Sequence, residues 1–175
     1  MSKDKESQSN DVNRVLTITT PDIENGLGNR VTIWFAGCKH HCKGCHNEWT
    51  WNYNQGKDFL DNKEEILNEL SKWLNKDYID GITLSGGDPI AQDDDALKVL
   101  LDFINWVREK YPTKTIWCYT GYIYENLNKL QKEVVDNCDV LVDGPYKEEL
   151  RDTSHCPFRG STNQRIITLG NRTTL

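Results

Sequence analysis

The chain has 175 residues, of which 21 are Lys or Arg and 27 are Asp or Glu, so its formal net charge is −6. This length accommodates one domain with a substantial core, and the negative charge disfavours a free-standing nucleic-acid-binding protein. The longest apolar stretch, at residues 99–107, is interrupted by Asp102 and Asn105, so we expect no segment to span a membrane. The polar N-terminus has no apolar core of a secretory signal, and we therefore expect a cytoplasmic protein.

The first half of the chain is predicted to contain a tail, two strands and a helix. Residues 1–13 are polar and charged, which is typical of a flexible tail, whereas residues 14–175 are expected to form a single domain. β-rich segments at residues 15–19 and 31–35 flank a turn that contains glycine. Asp61 is expected to cap the helix that follows. The apolar residues of this helix recur at helical spacing: Ile66, Leu67, Leu70, Trp73 and Leu74.

The second half is predicted to alternate strands with helices. Another helix is expected to begin at the acidic run Asp93–Asp95, which suits a helix N-terminus better than it suits a metal site. Short strands separated by helices predict an α/β fold with a mostly parallel sheet. Since a closed eightfold barrel takes about 250 residues, we expect an open, partial β/α barrel. The remaining elements are strands at residues 81–84, 115–119, 140–142 and 164–169, and a helix at residues 126–135.

Three of the six cysteines lie within one short segment, Cys38-Lys-His-His-Cys42-Lys-Gly-Cys45, directly after a predicted strand. In a cytosolic chain such a group indicates metal binding or redox chemistry rather than a disulfide framework. A [4Fe–4S] cluster usually takes four cysteines. Three local cysteines therefore predict a cluster in which one iron stays open for a small-molecule ligand.

Two other uses of this segment remain open at the level of sequence. A structural zinc ion could be held by the three cysteines together with His46, His40 or His41, because a Cys3His set is common. Cys42 and Cys45 could instead form a redox-active dithiol, although that leaves Cys38 without a role. We expect His40 and His41 to be solvated or hydrogen-bonded to sulfur rather than to bind the metal.

A second loop, Ser85-Gly86-Gly87-Asp88-Pro89, also follows a predicted strand and precedes a helix. Adjacent glycines allow the backbone to approach a ligand closely with its N–H and C=O groups. By itself this segment fits an ordinary tight turn. Because ligands of parallel sheets lie at the carboxyl ends of the strands, its place beside the cysteine segment indicates a ligand-binding loop.

Together the two loops resemble those of the radical S-adenosylmethionine (SAM) superfamily, which has a three-cysteine loop at its first barrel strand and a Gly-Gly-Glu-like loop at its second. In that superfamily SAM chelates the open iron, and the glycine loop binds the methionine amino group. Asp88 replaces the glutamate, which suits one branch, the activating proteins of anaerobic ribonucleoside-triphosphate reductase. The resemblance covers residues 15–170, and further matching segments follow in the family's order: Asn25-Gly26, Ile116-Trp117, residues 119–122, residues 139–144, Arg159-Gly160-Ser161 and Asn163-Gln164.

This resemblance implies that residues 14–175 form a radical SAM domain that cleaves SAM reductively at a [4Fe–4S] cluster. The 5′-deoxyadenosyl radical then generates a glycyl radical on the large subunit of the reductase. A flavodoxin-like protein is the implied electron donor, and the assembly is either a homodimer or a complex with the reductase, without direct contact to nucleic acid or membrane. Two alternatives are a small radical SAM enzyme with another substrate or glycyl-radical partner, and a non-catalytic zinc-binding adaptor.

The resemblance also implies roles for individual residues. The iron ligands are Cys38, Cys42 and Cys45. Gly86 and Gly87 bind the SAM amino group, while Asp88 and Pro89 shape the loop. The residues expected to contact or border SAM are Gly44, Cys45, His46, Gly86, Gly87 and Asp88, and no catalytic side chain is assigned beyond the cluster and SAM.

Several residues keep two interpretations. Asp143 is expected either to touch SAM or to cap a turn. Cys118 and Cys138 are expected to be small buried hydrophobic residues, and Cys156 to be exposed and oxidisable. Tyr119, Thr120, Asn163 and Gln164 either line the cavity or partner face or make structural hydrogen bonds. Trp49, Trp51 and Tyr53 follow the cysteines and are expected to shield the cluster, to meet the partner or to belong to the core.

Overall fold

The structure is a computed structural model that describes residues 13–152 and 158–170. The predicted tail, apart from its last residue, and Cys156 lie outside the described residues. The strands are β1 (Arg14–Asp22), β2 (Arg30–Phe35), β3 (Lys57–Asp58), β4 (Gly81–Gly86), β5 (Thr115–Tyr119), β6 (Val140–Asp143) and β7 (Arg165–Thr168). The helices are α1 (Lys63–Leu74), α2 (Asp94–Lys110) and α3 (Lys129–Asp136). In the described part of the chain, no helix is both long enough and apolar enough to cross a membrane.

All seven strands form one open sheet in the order β3-β1-β2-β4-β5-β6-β7. The four strands β2, β4, β5 and β6 are parallel, and one helix follows each of the first three. The flanking pairs, β1 with β2, β1 with β3 and β6 with β7, are antiparallel. The sequence prediction of a mixed α/β fold with a mostly parallel open sheet is therefore confirmed, and β3 is a strand that it missed.

The helices cover one face of the sheet and bury its main core. Alternate residues of a strand point to opposite faces, and Val31, Ile33 and Phe35 of β2 accordingly pack into this core. Trp117 belongs to a smaller cluster with Val140 and Val142. Because both faces of the central strands are buried, the open ends of the strands are where a ligand gains access.

Helix starts depend on side chains that accept the first free N–H groups. Asp93 caps α2 by accepting a hydrogen bond from the backbone N–H of Ala96 at 2.8 Å, as predicted. Asn128 and Gln131 form a capping box, which places the start of α3 at Lys129 rather than at residue 126.

The prediction that Asp61 caps α1 is wrong. Asn62 precedes this helix and makes no side-chain capping bond. The Asp58 carboxylate instead accepts the N–H groups of Leu60 at 3.0 Å and of Asp61 at 3.3 Å, so the turn before the helix is held from Asp58.

A fully buried arginine joins three parallel strands near their N-terminal ends. Arg30 donates from Nε to Thr83 Oγ1 at 3.1 Å and from its terminal nitrogens to Thr115 Oγ1 at 2.6 Å and to the carbonyl of Ile82. Its guanidinium also lies 5.7 Å from the centre of the Trp117 ring. Burial lowers the pKa of Arg30 to about 10, so the group stays charged at neutral pH.

Replacing Arg30 with methionine is expected to lower the free energy of unfolding by about 2–4 kcal/mol, because the carbonyls of Ile82 and Thr115 lose a buried donor. Urea denaturation measures this loss. Arg14→Met is the control, since the Arg14 side chain is 32% exposed and lies 4.0 Å from Asp58. Its expected cost is below about 1 kcal/mol, and equal costs for both variants would contradict the role given to Arg30.

Candidate functional site

The cysteine loop, residues 36–47, and the glycine loop, residues 85–89, leave neighbouring strands at the same edge of the sheet. Phe35, the last residue of β2, pairs with Gly86, the last residue of β4. Beyond this pair, the N–H of Gly87 donates to the carbonyl of Phe35 at 2.8 Å, and the N–H of Asp88 donates to the carbonyl of Gly37 at 2.8 Å. The parallel register therefore continues past the strands and fixes the start of one loop against the other.

Gly87 packs directly against the backbone of the cysteine loop. A Cβ atom at this position would be 2.2 Å from the carbonyl oxygen of Gly37, a backbone atom that cannot rotate away. The absence of a side chain is therefore a condition for the contact between the loops, independent of any ligand.

The cysteine loop is anchored to the segment that follows it. The N–H of Gly37 donates to the carbonyl of Thr50 at 2.7 Å, and the N–H of Cys38 donates to the carbonyl of Trp51 at 3.2 Å. The ring of Trp51 stacks on His41 with 4.6 Å between ring centres. These contacts place Trp51 against the loop.

The other two aromatic residues of that segment occupy different surroundings. Trp49 is 51% exposed and packs on Trp34. The Tyr53 ring lies against Gly37, and its hydroxyl donates to the carbonyl of Ala91 at 2.8 Å. Tyr53 therefore links the cysteine loop to the segment after the glycine loop.

Backbone N–H groups point at the sulfurs of all three loop cysteines. Burial raises the pKa of the Cys38 thiol to about 11, while hydrogen bonds from the backbone of His40 and His41 act in the opposite direction. Burial also raises the pKa of Cys42, again opposed by a backbone hydrogen bond, here from Tyr146. The N–H of Asn47 donates to Cys45 Sγ at 3.3 Å. Such donors favour thiolates, which are the form that binds metal.

The sulfurs of the three loop cysteines are not gathered around a single metal position. Among residues 13–152 and 158–170, no three His, Cys, Asp or Glu side chains are placed to hold one metal ion. In an iron–sulfur cluster the thiolates bind different irons, so the three sulfurs of Cys38, Cys42 and Cys45 need not converge on one point.

The two other described cysteines lie in the core. Cys118 is in β5 and Cys138 precedes β6, and both are buried. Their thiols are directed to the backbone carbonyls of Tyr119 and Val134, each at 3.7 Å. The prediction that these two cysteines are small buried residues agrees with this placement.

Asp88 is fully buried and accepts hydrogen bonds from three segments of the chain. Its Oδ2 accepts from His40 Nε2 at 2.7 Å, from Thr120 Oγ1 at 2.9 Å and from the N–H of Gly121 at 3.0 Å. Its Oδ1 accepts from the N–H of Ile90 at 3.0 Å. Both oxygens of the carboxylate therefore have hydrogen-bond partners within the protein. This arrangement agrees with a residue that shapes the glycine loop.

Gly44 and His46 lie at the outer side of the cysteine loop. Gly44 is next to the side chain of Glu148, which pairs with Lys43 at 3.2 Å. His46 is exposed, and its ring centre is 5.6 Å from that of Tyr146, a residue that follows β6. The structure therefore places both residues beside the segment after β6.

Asp143 is fully buried at the end of β6. Its carboxylate accepts hydrogen bonds from Arg165 and from the N–H of Tyr124, the latter at 2.8 Å. Both oxygens therefore have structural partners, which agrees with the turn-capping interpretation of this residue.

Four polar residues were expected either to line the cavity or partner face or to make structural hydrogen bonds. All four make hydrogen bonds within the protein. Tyr119 donates from its hydroxyl to the carbonyl of Phe158 at 2.8 Å. Thr120 donates to Asp88, Asn163 to the carbonyl of Pro145 and Gln164 to the carbonyl of Gly144. Each of the four therefore has a structural role in this geometry.

Comparison with known proteins is consistent with the donor set. The family model of a 4Fe-4S single cluster domain matches residues 24–167. The anaerobic ribonucleoside-triphosphate reductase-activating protein of Escherichia coli K12 is 42% identical over 146 residues, which are 83% of this chain and 92% of that protein. The chain belongs to this activating-protein family. The proteins of the same name from Enterobacteria phage T4 and Haemophilus influenzae are 39% and 40% identical, over 83% of this chain and 87% and 91% of their own lengths.

In this member of the activating-protein family, sequence patterns indicated the loops but not the side chains that join them. His40 and Thr120 meet at Asp88 although they are 80 positions apart in the chain. No periodicity or spacing relates such positions. The segment at residues 119–122, which matches the family, was the available signal. It offered a structural hydrogen bond as one interpretation of Thr120 but did not name Asp88 as the partner.

Replacing Gly87 with alanine is expected to separate the two loops, because the new Cβ would meet the Gly37 carbonyl at 2.2 Å. The free energy of unfolding should fall by about 1–3 kcal/mol, and the iron content after anaerobic reconstitution should fall with it. Ser85→Ala, near the end of the preceding strand β4, adds no atoms and is the control. A Gly87→Ala protein with unchanged stability and iron content would show that the loops do not depend on this contact.

Proposed function

We propose that this protein is the activase of an anaerobic ribonucleoside-triphosphate reductase. It binds a [4Fe–4S] cluster, cleaves SAM reductively and generates a glycyl radical on the large subunit of the reductase. The observation that carries the proposal is the set of three cysteines whose sulfurs face backbone N–H groups. Backbone hydrogen bonds join the loop that holds these cysteines to the glycine loop. The names of the related proteins supply the class of partner.

Each part of the site has a task in this proposal. Cys38, Cys42 and Cys45 would hold three irons, which leaves the fourth for SAM. The backbone of Gly86 and Gly87 would hold the methionine amino group beside that iron. When bound and reduced, such a cluster would supply the electron that breaks the bond between the SAM sulfur and C5′, which would leave methionine and a 5′-deoxyadenosyl radical. The protein supplies orientation and excludes water from these groups.

The finer structural features follow from the same proposal. We assign the open sheet to a partial barrel of the radical SAM type, because β2, β4, β5 and β6 are parallel and bring their carboxyl ends to one edge. Gly44 and His46 are proposed to border the adenosine from the side of Tyr146.

The proposal also includes the expected electron donor and cellular setting. One electron is needed for each SAM molecule that is cleaved, and a flavodoxin-like protein in the cytoplasm is the proposed source. A homodimer or a complex with the reductase is the proposed assembly.

The cluster and the cleavage of SAM are tested together by anaerobic reconstitution with iron and sulfide. The wild-type protein is expected to hold about four iron atoms per chain and, once reduced, to convert SAM to 5′-deoxyadenosine. Cys42→Ala is expected to lose most of the iron and at least about 100-fold of the 5′-deoxyadenosine, since the cluster lacks a ligand. Cys138→Ala is the matched control, because this thiol is buried in the core.

Two results of this experiment would contradict the proposed function, and a third would make the Cys42 variant uninformative about it. A wild-type protein that binds zinc in place of iron, or holds a cluster that does not cleave SAM, would contradict the proposed activity. Equal loss in Cys42→Ala and Cys138→Ala would show that the effect comes from damage to the fold.

A further inference from the structure

His40 connects the cysteine loop to the glycine loop by a side-chain hydrogen bond. It stands between two of the proposed iron ligands, Cys38 and Cys42. Its side chain is only 16% exposed, and its Nε2 lies 2.7 Å from Asp88 Oδ2. The ring edge packs against Tyr122, with 4.6 Å between the ring centres. The sequence led us to expect that His40 is solvated or hydrogen-bonded to sulfur, whereas the structure places it against Asp88 and Tyr122.

The acceptor of this hydrogen bond is itself held firmly. Asp88 is fully buried, and its other donors are the Thr120 hydroxyl and the N–H groups of Ile90 and Gly121. These three donors belong to the segments that follow β4 and β5 and not to the cysteine loop. The carboxylate is therefore a fixed point against which His40 can orient its own loop.

The ring of His40 also packs closely against the residues around it. A Cβ atom on Gly121 would lie 2.6 Å from the imidazole, so only glycine leaves room for the ring at this place. The histidine is thus confined by Gly121 on one side and by the Tyr122 ring on another. Its orientation is determined by packing as well as by the hydrogen bond to Asp88.

We propose that His40 is a positioning residue that, through Asp88, sets the cysteine loop at a fixed distance from the glycine loop. This inference rests on the proposed function, in which the first loop holds the open iron and the second holds the SAM amino group. SAM must reach both at once. Loss of the hydrogen bond lets the cysteine loop move while its three thiolates remain, so SAM binding weakens although the cluster still assembles.

The test compares four proteins after anaerobic reconstitution: wild type, His40→Ala, His40→Gln and Lys43→Ala. Glutamine keeps an N–H donor of similar reach, and Lys43 is an exposed residue of the same loop that pairs with Glu148 instead of Asp88. For each protein, iron per chain is measured, and SAM is titrated against the electron paramagnetic resonance spectrum of the reduced cluster. Rates of SAM cleavage over a range of SAM concentrations then separate an effect on KM from an effect on kcat.

His40→Ala is expected to keep its iron and to need about tenfold more SAM for half of the spectral change, which corresponds to about 1.4 kcal/mol. Its KM for SAM should rise in the same proportion. His40→Gln should stay within about threefold of wild type, and Lys43→Ala should be unchanged.

Three results would overturn the inference. If His40→Ala binds SAM as tightly as the wild-type protein does, the hydrogen bond to Asp88 does not position the cysteine loop for SAM. Loss of iron in both His40 variants would assign His40 to cluster assembly instead. A wild-type cluster whose spectrum ignores SAM would overturn the proposed function, and this inference with it, whereas the first two results leave the proposed function standing.

Discussion

The parallel pairing of β2 with β4 is the constraint on which the candidate site depends. It ends at the pair Phe35 and Gly86 and continues as two hydrogen bonds between the loops beyond, from Gly87 to Phe35 and from Asp88 to Gly37. Because backbone atoms make these bonds, their geometry follows from the register of the sheet. The register in turn is fixed by the alternation of core residues along both strands. The site is thus an extension of the sheet rather than a separate structure.

The cysteine loop combines two opposing influences on its thiols. Burial raises the pKa of Cys38 and Cys42 and so disfavours thiolates in the absence of a cation, whereas backbone N–H groups directed at the sulfurs favour them. In the proposed cluster, positively charged iron would offset the effect of burial on the thiols and leave the N–H groups in place. Such surroundings stabilise the metal-bound form of the loop more than its free form, which is the preference a cluster-binding loop requires.

The sequence was sufficient for features encoded locally. The alternation of strands and helices followed from hydrophobic spacing, and the cysteine and glycine loops were recognisable because their residues are close in the chain. What it could not provide were contacts between distant segments. The hydrogen bond of His40 to Asp88 spans 48 positions and depends on the sheet order. The cap expected at Asp61 failed for a local reason instead. The carboxylate of Asp58, three positions earlier, accepts the N–H of Asp61 in the turn before the helix.

The activity proposed for this protein is the removal of a hydrogen atom from a glycine of its partner. The most direct measurement mixes the reduced, reconstituted protein with SAM and a large reductase subunit whose glycines carry deuterium at Cα. Mass spectrometry then measures deuterium in the 5′-deoxyadenosine produced. If the proposed activity is right, deuterium appears in the 5′-deoxyadenosine and an organic radical appears on the reductase. Unlabelled 5′-deoxyadenosine and no radical on the reductase would contradict it.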